Sequence, residues 1–453
     1  MVELRRRLLL SGAVSTVASS LAPYGRAAPV EAPGTSAARP DAAPSAMFTL
    51  EAVSKATASP SGITPPLGFS GENPKILRVA KGSTSTLRLV NRLTEATDMD
   101  FHGMRLANGL DLPRDLGGVP VAAGATRDFA VQPPDAGTFW FHPRFNPGSS
   151  DQTARGLAGV LIVEEPDAPA VDADAVLLLT DRDANGADLS DRLAVNGQPW
   201  PEVHSYRPGA RLRLRLVNGS TREAVAVTFA GAQPFVIAID GQPSELFRPL
   251  NDTLPVGPGA RFDIMVDLGR QAGAEFKLIL QGSNGPVSAS NRPVYLARSD
   301  GAAAAERPPI RSLTPNASLP RSIPLEHSVR ADLVAASNPS TRPGEAVLWT
   351  LNGEDGRALG KRPLFTAKTG APVTLGLVNH SRGLTAFRLH GHVVRLLHAK
   401  DDGWEPYWRD SVIVPSGGTN HVAFLAGPPG RWLIESPFFD QSTRGLRGWF
   451  EVR

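Results

Sequence analysis

The sequence predicts an all-β protein of three β-sandwich domains in tandem, and three observations lead there. Turn residues are dense, with 44 Gly and 41 Pro among 453 residues. They separate short runs rich in Val, Leu and Ile, as in strands joined by tight turns. Three similar blocks recur: "ILRVAKGSTSTLRLVNRL", "YRPGARLRLRLVNGS" and "FTAKTGAPVTLGLVNHS". Each reads as a strand, a glycine turn and an alternating strand ending in Leu-Val-Asn. The blocks lie far apart, which marks duplicated domains rather than a solenoid. The period of two in "RLRLRLV" predicts a half-buried strand.

The elements follow in order. Residues 1–28 read as an export signal: Arg5, Arg6 and Arg7, a modest apolar stretch, then small residues ending at Ala27 and Ala28. The paired arginines followed by leucines are similar to a twin-arginine signal, with a plain secretory signal as the alternative. The apolar run is broken by Ser and Gly, too polar for a retained membrane helix. Residues 29–46 are rich in Pro and Ala and predict a disordered linker. The three domains are placed at 47–166, 167–300 and 323–453. A Pro/Ala-rich linker at 301–322 precedes the third.

Composition excludes several functions. The net charge is +3 and no Lys/Arg cluster follows the signal, so nucleic-acid binding is not indicated. Cysteine is absent. Disulfides, thiolate catalysis, Cys-based zinc sites and blue-copper sites are therefore ruled out. No other apolar run approaches membrane-spanning length, so the exported chain is expected to be soluble.

Five segments carry a resemblance: "DMDFHGMRL", "GTFWFHPRFN", "DQTARGLAGVLIVEE", "FRLHGHVVRLL" and "GRWLIESPFFDQSTRGLRGWFEV". In this order they resemble the multicopper oxidases, whose three domains are cupredoxin-like Greek-key sandwiches. "RLAVNGQPWPEV" and "AIDGQPSELFRPLNDTLPVGPGARFDIMVDL" look like that family's middle domain. The resemblance implies His-x-His pairs, a spacing that suits a strand because residues i and i+2 share a side. Here the first pair is Asp100 and His102, the second His142 and Arg144, and the third Arg388 and His390. The type 1 copper positions become Thr385, Ser436, Gln441 and Leu446. Neutral oxygens and an alkyl chain cannot replace a thiolate and two imidazoles. The trinuclear positions that depart from histidine are Asp100, Arg144, Arg388, Glu435 and Pro437.

By the family's geometry, Asp100 and Arg388 stand at the type 2 copper. Arg144, His390 and Glu435 stand at one type 3 copper, and His102, His142 and Pro437 at the other. Two ion pairs, Asp100–Arg388 and Arg144–Glu435, are expected to fill the vacated cluster and tie domain one to domain three. The pattern is similar to the copper-free, FtsP-like branch of the family, which implies a periplasmic protein supporting the envelope or cell division. The expectation is a binding or scaffold protein with no catalytic residues and no cofactor, whose partners are envelope or division proteins. The alternative is a metal binder or oxidase with residual copper at His102, His142 and His390. A third reading has Arg144 and Arg388 hold a small anion.

Other residues receive structural readings. His392 is read as structural, and His204, His327, His380, His398 and His421 as surface or loop residues. Trp140, Trp404, Trp408, Trp432 and Trp449 are expected to pack the sandwiches. The acids of "DGQPSEL" and "GARFDIMVD" are assigned no catalysis. "NGS" at Asn218 fits a glycosylation sequon but is discounted in a bacterial context.

Overall fold

A computed structural model describes residues 46–55, 66–71, 75–144, 151–182, 192–198, 200–282, 293–338, 347–397 and 403–453. The signal, the expected 29–46 linker up to Ser45, and His398 lie outside the described residues.

The regular elements of the described chain are nearly all strands, and they form six sheets. They pair into three sandwiches, each closing on its own buried core. One core centres on Leu87, Phe129 and Leu161, the next on Leu214, Ile264 and Leu278, the last on Leu375, Phe424 and Phe450. The all-β, three-sandwich expectation holds.

The Leu-Val-Asn endings explain why the three blocks look alike. Asn91, Asn218 and Asn379 are each fully buried. In every copy the side-chain oxygen accepts the N–H two residues on, from Leu93, Ser220 and Ser381 at 3.0, 3.1 and 2.9 Å. In every copy the amide nitrogen donates to a carbonyl four or five residues on and to a distant one. Those pairs of acceptors are Glu95 and Val121, Glu223 and Val256, Gly383 and Val414. One side chain thus satisfies the groups of a strand end and a crossing strand, as buried backbone requires. The same bonds leave the Asn218 amide enclosed, which agrees with discounting the sequon.

The strand Arg211–Asn218 departs from the half-buried expectation. Both of its faces are buried. Leu212, Leu214 and Leu216 enter the middle core. The arginine face packs against domain one and neighbouring strands instead of water. Arg213 pairs with Glu165 and Asp263 at 2.6 and 2.5 Å. Arg215 pairs with Asp174 at 2.7 Å and donates to Thr138 Oγ1. The period of two was legible, but part of what covers the charged face, Glu165 and Thr138, comes from another domain.

The 301–322 segment is a pinned strap. Pro308 O accepts from Arg211, and Arg307 bonds Asp172 at 2.8 Å. Asn316 is buried and spans Ala136 O and Gln242 Oε1. Ser318 donates to Asp135.

No helix among the described residues is long and apolar enough to cross a membrane. Trp140, Trp408, Trp432 and Trp449 are buried as expected, and Trp404 is half-buried.

Candidate functional site: a buried polar cluster between domains one and three

Four strands position the site. In domain one, Asp100–His102 is an edge strand paired with Gly137–His142, and Asp100 stands opposite His142. In domain three, Thr385–Leu389 pairs with Gly430–Glu435, and Arg388 stands opposite Glu435. Alternation does the aiming. Phe101 enters the domain-one core, so Asp100 and His102 face the other way. Gly391 then turns the chain after His390. Its φ is +67°, and a Cβ there would stand 2.0 Å from the Trp432 ring, so neither backbone nor packing admits a side chain.

The structure brings Asp100 and Arg388 together as expected. The guanidinium donates to both carboxylate oxygens, at 2.5 and 2.9 Å, across the boundary between domains one and three. Both residues are buried. Burial works against the Asp100 anion, but Arg388 outweighs it and holds the carboxyl well below its usual range.

The second expected pair, Arg144–Glu435, does not form. Arg144 turns into its own domain and donates to Met99 O at 2.5 Å and Leu110 O at 2.8 Å. It lies 3.5 Å from Asp111 and 3.9 Å from Asp98. Glu435 instead bonds His390 Nε2 at 3.1 Å and Ser442 Oγ at 2.9 Å, with Arg447 at 3.4 Å. The reason is geometric. The fork of Arg144 is satisfied by local carbonyls, while Arg447 is the cross-strand neighbour of Glu435.

His390 joins the two domains by itself. Its Nδ1 lies 2.9 Å from Asp111 of domain one and its Nε2 3.1 Å from Glu435 of domain three. Burial and Arg388 oppose its protonation. The two carboxylates overcome them and raise it to about 9. His390 is therefore an imidazolium at neutral pH, a donor at both nitrogens rather than a metal ligand.

His102 and His142 behave oppositely. Their facing nitrogens are 3.2 Å apart, and Trp140 stacks on both rings. Burial holds His102 well below its ordinary value and takes His142 down to about 4. Both are neutral at pH 7. His142 Nε2 lies 3.7 Å from Asp100. Two buried groups gather possible metal donors: Asp100, His102 and His142, and Asp100, His390 and Glu435. Pro437 is buried and has no metal donor to offer.

The type 1 positions also converge, on each other. Thr385 Oγ1 and Ser436 Oγ both donate to Gln441 Oε1, at 2.7 and 2.8 Å. Gln441 Nε2 donates to Leu384 O at 2.7 Å. Leu446 is buried in the domain-three core. The helix Phe439–Thr443, between the last two strands, carries Gln441 and the Ser442 that bonds Glu435.

The remaining histidines match their structural readings. His392 is buried, bonded to His390 O and Gly427 N at 2.8 Å each. His204, His327, His380 and His421 are exposed. The "DGQPSEL" acid Asp240 pins domain two to domain three: it accepts from Arg261 N and Asp410 N at 3.0 and 3.1 Å. Burial and neighbouring Asp410 raise Asp240 to about 6. Arg144 and Arg388 are both engaged, which removes the support for an anion held between them.

Asp98, Asp111, Arg447, Asp115 (3.3 Å from Arg447) and Asp410 (3.7 Å from His102) belong to the site but were not singled out in the sequence. Asp98 could have been found, since it stands two residues before Asp100. Asp111 and Asp410 could not, because loops and another strand deliver them.

Comparison with known proteins fits this geometry. Residues 53–168, 171–297 and 326–453 each match the multicopper oxidase family. The multicopper oxidase MmcO of Mycobacterium tuberculosis is 25% identical over 414 residues, covering 79% of this chain and 77% of that one. The laccase of Cryphonectria parasitica is 23% identical over 469 residues, covering 83% and 76%. The crystal structure of a multi-copper oxidase from Pseudomonas thermotolerans has a TM-score of 0.76 at 27% identity, covering 91% of this chain and 100% of that one. Matched in order along all three sandwiches, the chain belongs to the multicopper oxidase family.

Proposed function

We propose that this chain keeps the family's fold without its electron-transfer chemistry and acts by binding, as a scaffold of the cell envelope. One observation carries the reading: the type 1 positions are satisfied by one another. With Thr385 and Ser436 both bonded to Gln441, and no cysteine in the chain, the donor set does not fit a type 1 copper. The cluster positions disagree with copper too. Arg388 and Arg144 are guanidinium cations where ligands would be, and His390 is cationic. Export by the N-terminal segment, placement in the periplasm and support of envelope or division proteins are part of this proposal. They rest on the signal-like residues 1–28 and on the likeness to the copper-free, FtsP-like branch.

The second reading is a metal binder or copper oxidase. It is favoured by the names of the relatives, which are oxidases and laccases, and by the grouping of Asp100, His102 and His142. Copper per chain separates the two. The exported chain is incubated with excess Cu(II), desalted and analysed for metal, and oxygen uptake is followed with a phenolic donor. The expected outcome is no copper above background and no uptake. One tightly held copper, lost in His102→Ala or His142→Ala, overturns the binding-only reading.

A further inference from the structure

We propose that Arg388 is a resident cation that holds closed a divalent-metal site formed by Asp100, His102 and His142. The inference rests on the copper-free reading above and gives it a cause. Three observations support it.

The donors are already assembled. Facing ligand atoms of Asp100, His102 and His142 lie within 4.8 Å of one another, and all three residues are buried. Two imidazoles and a carboxylate suit a first-row divalent ion such as Zn(II) or Cu(II).

Outer partners that orient such ligands are also present. His142 Nδ1 lies 2.7 Å from Pro143 O. Donation there leaves the Nε2 lone pair facing Asp100 and His102. His102 Nε2 has no hydrogen-bond partner although it is buried, and Asp410 Oδ1 stands 3.7 Å away. With the proton of His102 moved to Nε2 it would point to Asp410, which would have to close in from 3.7 Å to accept it, and the Nδ1 lone pair would face His142 and the site. A histidine backed by a carbonyl or carboxylate is how metal-binding imidazoles are held.

What closes the site is the fork of Arg388. It takes both oxygens of the only carboxylate in the group. A divalent ion would have to share that carboxylate with a fixed, fully buried guanidinium, whose charge cannot be titrated away. The arginine thus supplies the positive charge Asp100 requires and repels any ion that would supply it instead.

The test compares the charge of residue 388 with its bulk. Wild type, Arg388→Met, Arg388→Lys and the double variant Asp100→Asn/Arg388→Met are incubated separately with Zn(II) and Cu(II) chloride, desalted and analysed for metal. Thermal unfolding is followed in parallel. Arg388→Met is expected to retain about one ion per chain and to melt higher with metal than without. Wild type, Arg388→Lys and the double variant are expected to retain none above background. If Arg388→Met is folded and empty, this inference fails and the copper-free reading stands. If wild type itself retains an ion, both fail. Should Arg388→Met not fold alone, it is refolded with Zn(II). Recovery that depends on the metal supports the closed site, and no recovery in either condition overturns it.

Discussion

The imidazole of His390 touches a carboxylate of domain one and another of domain three, and that contact is pH-dependent. Its value rises from the ordinary 6.5 to about 9 because Asp111 and Glu435 outweigh the cost of burial and the repulsion of Arg388. The folded state therefore binds this proton more tightly than the unfolded chain does. The stabilisation is complete below pH 6.5 and is lost as pH rises through about 9. Between these limits, wild type is expected to lose thermal stability relative to His390→Gln, by of order 1–3 kcal/mol. Melting curves of the two proteins from pH 6 to 10 check it. Parallel curves would show that His390 carries no proton in the fold. Arg144 teaches the opposite lesson at this scale: its charge is met by backbone carbonyls as much as by acids, so counting opposite charges alone misassigned its partner.

At the scale of elements, the strand ends and the closing tail carry the architecture. Each Leu-Val-Asn asparagine links a strand end to a strand crossing the sandwich. Removing one side chain strands a buried N–H and two buried carbonyls together. Asn218→Ala and Asn379→Ala are each expected to destabilise the chain by about 1–3 kcal/mol per group left unsatisfied. Denaturant unfolding measures this, and a loss well under 1 kcal/mol would mean that water replaces the amide. The tail from Gly430 to Val452 has a structural role of its own. Its strands pair from Gly430↔Val452 to Glu435↔Arg447 and complete the domain-three sheet. Ser436, on this tail, and Thr385 close a hydrogen-bonded knot around Gln441.

At the scale of the molecule, ion pairs and strap contacts join the sandwiches. Asp100–Arg388 and His390–Asp111 join domains one and three, and Arg261–Asp410, at 2.6 Å, joins two and three. Breaking a buried pair from one side leaves the other charge uncompensated, which costs about 3–5 kcal/mol. Asp100→Asn is therefore expected to destabilise strongly, while Asp100→Asn/Arg388→Met recovers much of the loss. Unfolding of the single and double variants checks this. Equal losses in both would show that the packing of these side chains matters more than their charge.

The sequence by itself determined the all-β class, the threefold repeat, the family resemblance and which residues stand at the His-x-His positions. These are local facts. Periodicity, turn residues and His-x-His spacing are written along single strands, and so are the residues standing at the ligand positions. The Asp100–Arg388 pair was legible because the family resemblance aligns both with positions that share one metal. Tertiary structure alone decided that Arg144 serves its own domain, that His390 is the bridging cation, and that Arg211, Arg213 and Arg215 face protein instead of water. Those outcomes depend on loops and strands far apart in sequence, whose meeting angles no local pattern encodes. A buried charge takes whichever partner the assembled fold brings within reach.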